Sequence, residues 1–394
     1  MTPSKMTFHS FKHCNVDELN SDLSQVPWSV IDVFDDINDR WECWKKLFWE
    51  IIDMHAPVIT VRKKRESQPW ITSDIHQLMR KRNYYRRKHQ KNRDQVDWKC
   101  YVHLRNLVIK KLRQAKTAYM TTICKDIAHS PRKAWSQLNR YLGRKVDKST
   151  VSIQENGRLL TSNSTIVNAF SSHFSSITSV ISNPRHGPPA TFEPAHTTFK
   201  FSTIEEEDVT DILRSLKVNK ATGADGISAR LLKLTAPSIS NSLTLLFNHS
   251  LQTGSFPDEW KHANVTPVPK SGDKHLVQNY RPISVIPVIA KVFQTLVHKQ
   301  LYNYLNTNSL LNPVQSGFRP MHCTQDVLLK TVDDWRASLD LGKLVGAVMI
   351  DLSKAFDSIN HQVLLQKLNK YSVHWGGTPV VYYVPTSTET KSVN

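Results

Sequence analysis

The chain is poor in the features that mark several large protein classes. Its five cysteines (Cys14, Cys43, Cys100, Cys124 and Cys323) are spread through 394 residues with no C-x-x-C pair. An odd, scattered set argues against a zinc ribbon or knuckle and for reduced thiols in the cytosol or nucleus. No apolar run approaches the roughly 18 residues that a membrane-spanning helix needs. The opening decapeptide, MTPSKMTFHS, has no apolar stretch of the signal-peptide kind. The expectation is a cytoplasmic or nuclear protein that is not secreted and has no membrane partner. Acidic residues are also scarce, with 34 Asp and Glu against 52 Lys and Arg, for a formal net charge of +18.

The basic excess is concentrated in one place. Residues 62–148 hold 25 Lys and Arg against 6 Asp and Glu, so this segment alone accounts for the net charge. A surplus so localised repels itself unless a polyanion neutralises it, and nucleic acid is the simplest polyanion. Within it, Trp70–Ile75 offers a helix start capped by Thr72 or Ser73. The helix that follows carries Arg80, Lys81, Arg82, Arg86, Arg87 and Lys88, interleaved with Tyr84 and Tyr85. A second helix is expected over about Asp94–Ile127. Its apolar stripe is Tyr101, Leu104, Val108, Leu112, Ala115, Tyr119 and Ile123, while Lys110, Lys111 and Arg113 are left to face outward. Such cations neutralise phosphates and make binding salt-dependent without reading sequence. The alternative is a solvated helical hairpin whose charge does nothing.

Elsewhere the patterns are those of a mixed α+β chain. Phe34, Ile37, Trp41, Trp44, Leu47, Phe48 and Ile51 recur at helical spacing and predict an aromatic-faced helix over Val33–Met54. Val151–Leu160 reads as a hairpin turning at Asn156-Gly157. Ser164–Val180 reads as a helix holding Phe170 and Phe174, followed by a proline-containing linker without periodicity. Beyond Phe201 come a capped acidic helix start at Ser202/Thr203, a glycine turn in Asn219–Ser228 (NKATGADGIS), helices over Ala229–Leu234 and Pro237–Thr253, and a strand over Ala263–Val268. Lys270 follows that strand and Arg281 opens the next element; two fixed cations so placed could grip a polyphosphate.

One stretch joins these pieces. Leu344–His361 reads LVGAVMIDLSKAFDSINH, an apolar strand-like run ending in Asp351. A carboxylate there either caps the following turn or holds a metal ion, since an unpaired buried charge is costly. The string AVMIDLSKAFDSINH resembles motif A of the reverse transcriptases of LINE-type (non-LTR, jockey-like) retrotransposons. Gln315–Arg319 (QSGFR) and the NYRPISVIP stretch resemble the same family. The resemblance implies a catalytic, Mg²⁺-binding Asp351 and a metal-supporting carbonyl at Leu352. It also implies a steric gate against ribose at Phe356, and fingers cations at Lys270 and Arg281 that hold the dNTP phosphates. The implied partners are an RNA template, a DNA primer and dNTP.

The expected organisation is sequential. Residues 1–60 would be a helical segment that follows an endonuclease domain lying upstream of this chain. Residues 61–148 would be the basic helical linker, and 149–200 a hairpin, helix and linker. Residues 201–371 would form reverse-transcriptase-like fingers with an incomplete palm, and 372–394 a tail unlike the family. Met321-His322-Cys323-Thr324 departs from the family's Gly-His-Ser/Thr-Thr, and Ser372 stands where glycine is usual. The motif C Asp-Asp pair and the thumb do not follow motif A. Two-metal phosphoryl transfer needs more than one carboxylate. The expectation is therefore a fragment of an RNA-directed DNA polymerase that is inactive by itself. The competing reading is a non-catalytic RNA-binding protein acting through residues 62–148.

Overall fold

The computed structural model describes residues 5–62, 68–126, 131, 135, 138–139, 152–155, 157–179, 198–352 and 359–373. The chain divides into two compact units. One joins Met1–Phe8 to Ile59–Thr150, and the other joins His9–Val58 to Val151–Asn394.

The first unit is dominated by two helices, α3 (Ser73–Asn92) and α4 (Gln95–Asp126), which follow the strand pair β1 (Lys5–His9) and β2 (Val58–Arg62). Thr72 caps α3 by accepting the Ile75 amide at 3.4 Å. The turn into α4 is made by Arg93, left-handed at φ 52°, and by Asp94, whose carboxylate accepts the Val96 amide at 2.9 Å. The expected stripe packs: Val108 and Ile123 are buried, while Tyr101, Leu104, Leu112, Ala115 and Tyr119 are half-buried. The short helix that Trp135, Leu138 and Leu142 predict over Pro131–Gly143, ended by Gly143, falls largely outside the described residues.

The second unit is built on α1 (Val16–Gln25), α2 (Ile37–His55), α6 (Glu206–Ser215), α7 (Ala229–Thr253) and α9 (Val288–Thr307), between which α5 (Asn163–Ser179) and α8 (Asp258–Lys261) intervene. Its core brings the early aromatic helix onto residues about 190 to 250 positions later. Trp41, Trp44, Phe48 and Ile52 of α2 share one cluster with Leu243, Phe247, Trp260, Val292 and Phe293. The Trp44 indole donates to Ser242 Oγ at 2.9 Å, and the Trp41 indole donates to Glu259. Two aromatic contacts, Trp41–Trp260 and Phe247–Phe293, extend the stack. Segments far apart in sequence therefore form one spatial body, which division by composition does not reveal.

Two expectations are corrected here. The helices split at Pro237 are one, α7, with Pro237 inside it. The buried face running through Leu232, Ala236, Ile239 and Leu243 carries the helix past the proline, because packing outweighs the single lost backbone hydrogen bond. The start of α6 is also later than expected: Glu205 is its N-cap without a side-chain hydrogen bond, and the Ser202 amide is held by Gln300 instead.

The expected hairpin is present. β3 (Ile153–Glu155) pairs antiparallel with β4 (Arg158–Leu160), and Gly157 takes φ +78° at the turn. A second small core forms beside it from Ile153, Ile166, Phe170, Phe174, Val265 and Tyr280. The last two belong to an antiparallel ribbon, β5 (Asn264–Pro269) with β6 (Tyr280–Val285). Beyond α9 lie α10 (Thr324–Asp340) and α11 (His361–Lys370). The chain after α11 is tied back through Phe199, whose amide donates to the Ser372 carbonyl at 2.9 Å, and through Tyr304, whose hydroxyl donates to the Tyr371 carbonyl at 2.8 Å.

Candidate nucleotide and nucleic-acid sites

The β5–β6 ribbon brings two of the sequence-nominated cations together. Val268 sits opposite Arg281, and the Lys270 amide donates to the Asn279 carbonyl at 2.7 Å. Side chains alternate across a ribbon, so Val268, Lys270 and Arg281 share one face. The opposite face packs Val265 and Tyr280 into the small core. Arg281 is exposed and Lys270 half-buried. Among the described residues neither cation is in an ion pair. Gly272, at φ +109°, makes the turn that closes the ribbon beside them.

Asp351 is placed differently from expectation. The strand foreseen over Val345–Ile350 does not form; residues 343–352 have no regular secondary structure and are exposed. Val348 and Ile350 are 88% and 83% exposed. A strand exists only through a partner backbone, and among the described residues none pairs with this segment. Asp351 and Leu352 are thus solvent-facing. Phe356 lies outside the described residues. Among those described, no group of three His, Cys, Asp or Glu side chains could hold a metal ion. Phe318 and Met321 of the QSGFR region are exposed, both with φ +60°.

The basic hairpin presents most of its nominated cations to solvent. Arg80, Lys81, Arg86, Arg87, Lys110, Lys111 and Arg113 are exposed, and Arg82 is half-buried against Asn83. Lys110 and Arg113 border a hollow of about 360 Å³ on α4 with Ile109 and Gln114. Lys88 is committed elsewhere, since its ammonium donates to the buried Asp97 at 3.0 Å. That hydrogen bond, with the charge behind it, raises the Lys88 pKa.

A site that sequence reasoning passed over lies in the glycine turn. Asp225 is buried; its Oδ1 accepts the Ile227 amide at 3.3 Å, and its Oδ2 has no hydrogen-bond partner. Burial pushes its carboxyl up to about 6; the Ile227 amide and Lys45 pull it down, while Glu259 raises it. Lys291 of α9 is shifted the other way, lowered first by burial and then by Lys220, with Asp225 opposing. Gly223 is required where it stands, because a Cβ there would lie 2.6 Å from the Pro287 backbone. The signal in the sequence was the Gly-x-Asp-Gly string, which is ordinarily only a turn.

Comparison with known proteins points to the family that the motif around Asp351 resembles. Residues 268–389 match the family model described as reverse transcriptase (RNA-dependent DNA polymerase), a span that takes in Lys270, Arg281, Asp351 and part of the 372–394 tail. The chain is related to the LINE-type, jockey-like reverse transcriptases. It is 23% identical over 368 residues to the RNA-directed DNA polymerase from mobile element jockey of Drosophila melanogaster, covering 88% of this chain and 39% of that protein. The corresponding jockey protein of Drosophila funebris is 30% identical over 162 residues, 41% of this chain and 18% of its own length. A retrovirus-related Pol polyprotein from the type-1 retrotransposable element R2 of Popillia japonica is 28% identical over 179 residues, 45% of this chain and 23% of its own length. The chain thus spans well under half the length of these non-LTR relatives. Among the described residues no helix is long and apolar enough to cross a membrane.

Proposed function

We propose that the chain is a portion of an RNA-directed DNA polymerase of a LINE-type element, supplying an RNA-contacting basic hairpin and the triphosphate-gripping fingers. The observation that carries this is the β5–β6 ribbon, whose part from Val268 onward falls in the matched family segment, with Lys270 and Arg281 on one open face. Two fixed cations without carboxylate partners suit a triphosphate through charge-assisted hydrogen bonds. Binding of a dNTP by the full chain, followed by photo-crosslinking, is expected to fall with Lys270→Ala and with Arg281→Ala. Equal labelling of both variants and the parent would overturn the assignment.

Magnesium chemistry requires carboxylates that converge. Asp351, with the Leu352 carbonyl, is the position at which a metal would be held, but one exposed carboxylate does not hold the ion pair that in-line phosphoryl transfer uses. The donor set among the described residues therefore does not fit the two-metal site. We assign the polypeptide by itself to binding RNA and nucleotide without extending a primer. Primer extension on an RNA template with Mg²⁺ tests this; incorporation that depends on Asp351 would refute it.

The hairpin α3–α4 supports RNA contact. Its exposed Arg and Lys side chains lie on helices whose other faces pack together, so the positive charge is held on a folded surface. RNA affinity is expected to drop steeply with salt, by a log–log slope of about 0.7 for each phosphate neutralised on a single strand.

A further inference from the structure

The tip of the α3–α4 hairpin holds a tryptophan that the fold does not bury. Trp98, at the start of α4, is 42% exposed. Rings from both helices hold it in place. His89 of α3 lies 5.0 Å from it between centroids, and Tyr101 of α4 lies 5.2 Å away. His89 is itself anchored, since its Nδ1 donates to the Asp94 carbonyl at 2.8 Å. An indole that is clamped yet open leaves apolar surface in water. It has also given up its rotamer freedom in advance, so a flat ligand that covers it avoids that entropic cost.

The charge around Trp98 says which flat ligand fits. Residues 86–99 carry six Lys and Arg against two Asp. Both carboxylates are used inside the turn: Asp94 accepts the Val96 amide, and the buried Asp97 accepts from Lys88 at 3.0 Å. What is left facing outward is positive. Arg86, Arg87, Lys91, Arg93 and Lys99 are exposed and, among the described residues, in no ion pair. An open aromatic ring set in a cationic surface suits single-stranded nucleic acid, whose bases stack on the ring while its phosphates are neutralised. In an RNA duplex the bases are already stacked on one another, and only backbone and groove edges are offered. We propose that the hairpin tip is a site for single-stranded RNA, in which an unpaired base stacks on Trp98 and Lys91, Arg93 and Lys99 hold the flanking phosphates. This rests on the RNA reading of the hairpin and adds the form of RNA that it takes. The cations by themselves do not distinguish a single strand from a duplex; the indole does. The stacked contact reads no sequence, because every base has a π-face.

Fluorescence anisotropy of the full chain with three labelled RNA probes of equal length tests this. The probes are a mixed-sequence single strand, the same strand with abasic central residues, and a duplex. Trp98→Ala is expected to weaken binding of the single strand by about 5- to 100-fold. Its affinity for the abasic strand and the duplex is expected to match the parent's, and so is its salt slope, because the indole neutralises no phosphate. Trp98→Phe keeps a ring and is expected to keep most of the single-strand affinity. A single strand carrying iodouridine, irradiated on the parent chain, is expected to cross-link at Trp98, as mapped by mass spectrometry. Trp98→Ala that binds the single strand like the parent, or that loses the intact and abasic strands equally while keeping the duplex, would overturn the proposal and leave RNA binding by the cations standing. A parent that binds none of the three probes would overturn the RNA reading and this inference with it. If Trp98→Ala lost the duplex as well, the hairpin itself would be disturbed, and the cross-link on the parent decides: none at Trp98 overturns the proposal.

Discussion

Replacing Asp225 with asparagine isolates the cost of ionising a buried carboxyl while keeping the side chain's shape. In the folded chain Asp225 is 9% exposed, and one of its oxygens has no hydrogen-bond partner. Burial raises its pKa from 3.8 to about 6, with Glu259 pushing the same way and the Ile227 amide and Lys45 opposing. The folded state therefore holds the proton more tightly than the unfolded state does. The associated stability is fully present below about pH 4, declines as pH rises through about 6, and is gone above about 7. A shift of roughly two units corresponds to about 3 kcal/mol at most, of which close to 2 kcal/mol falls between about pH 4.5 and pH 7.5. Asp225→Asn removes this slope. Urea unfolding followed by tryptophan fluorescence is a suitable assay, because Trp49 lies close to Gly226 and Trp41 and Trp260 flank Glu259 in this unit. Variant minus parent stability is expected to grow by about 2 kcal/mol from the acid to the neutral condition. Any packing change from the amide adds a constant offset and leaves this slope alone. A difference that does not vary with pH would refute the reasoning.

Other outcomes follow from the same geometry. Gly223→Ala forces a Cβ to within 2.6 Å of the Pro287 backbone and is expected to destabilise the chain by about 1–3 kcal/mol, read by chemical denaturation. Trp44→Ala empties a fully buried site and strips Ser242 of its donor, with an expected loss of about 3–5 kcal/mol in the same assay. Lys88→Ala and Arg86→Ala are expected to separate stability from binding. The first leaves the buried Asp97 unpaired and lowers the melting temperature, whereas the second lowers RNA affinity and its salt dependence with little change in melting.

The local elements were legible because their signals are local. Residues three and four apart made α2 and α4 visible, Asn156-Gly157 announced the β3–β4 hairpin, and the step from Val268 to Lys270 and Arg281 placed both cations near one ribbon end. The motif around Asp351 marked a family before any fold was known. Pro237 misled, since a proline ends an isolated helix but not one whose face is buried along its whole length. The Val345–Ile350 strand misled for the opposite reason: strand propensity is a preference for pairing, and no described backbone pairs there.

By itself the sequence determined the distribution of charge, the periodicity of the helices, the turn chemistry and the kinship with LINE-type reverse transcriptases, all of which are written in residues near one another. Tertiary structure alone decided that α2 belongs to the same core as α7 and α9, that Lys88 is bound to Asp97 rather than free, and that Asp225 is buried with an unpartnered oxygen. Burial and pairing depend on which distant segments meet. That choice is made by the whole chain's packing, which no local run of residues contains.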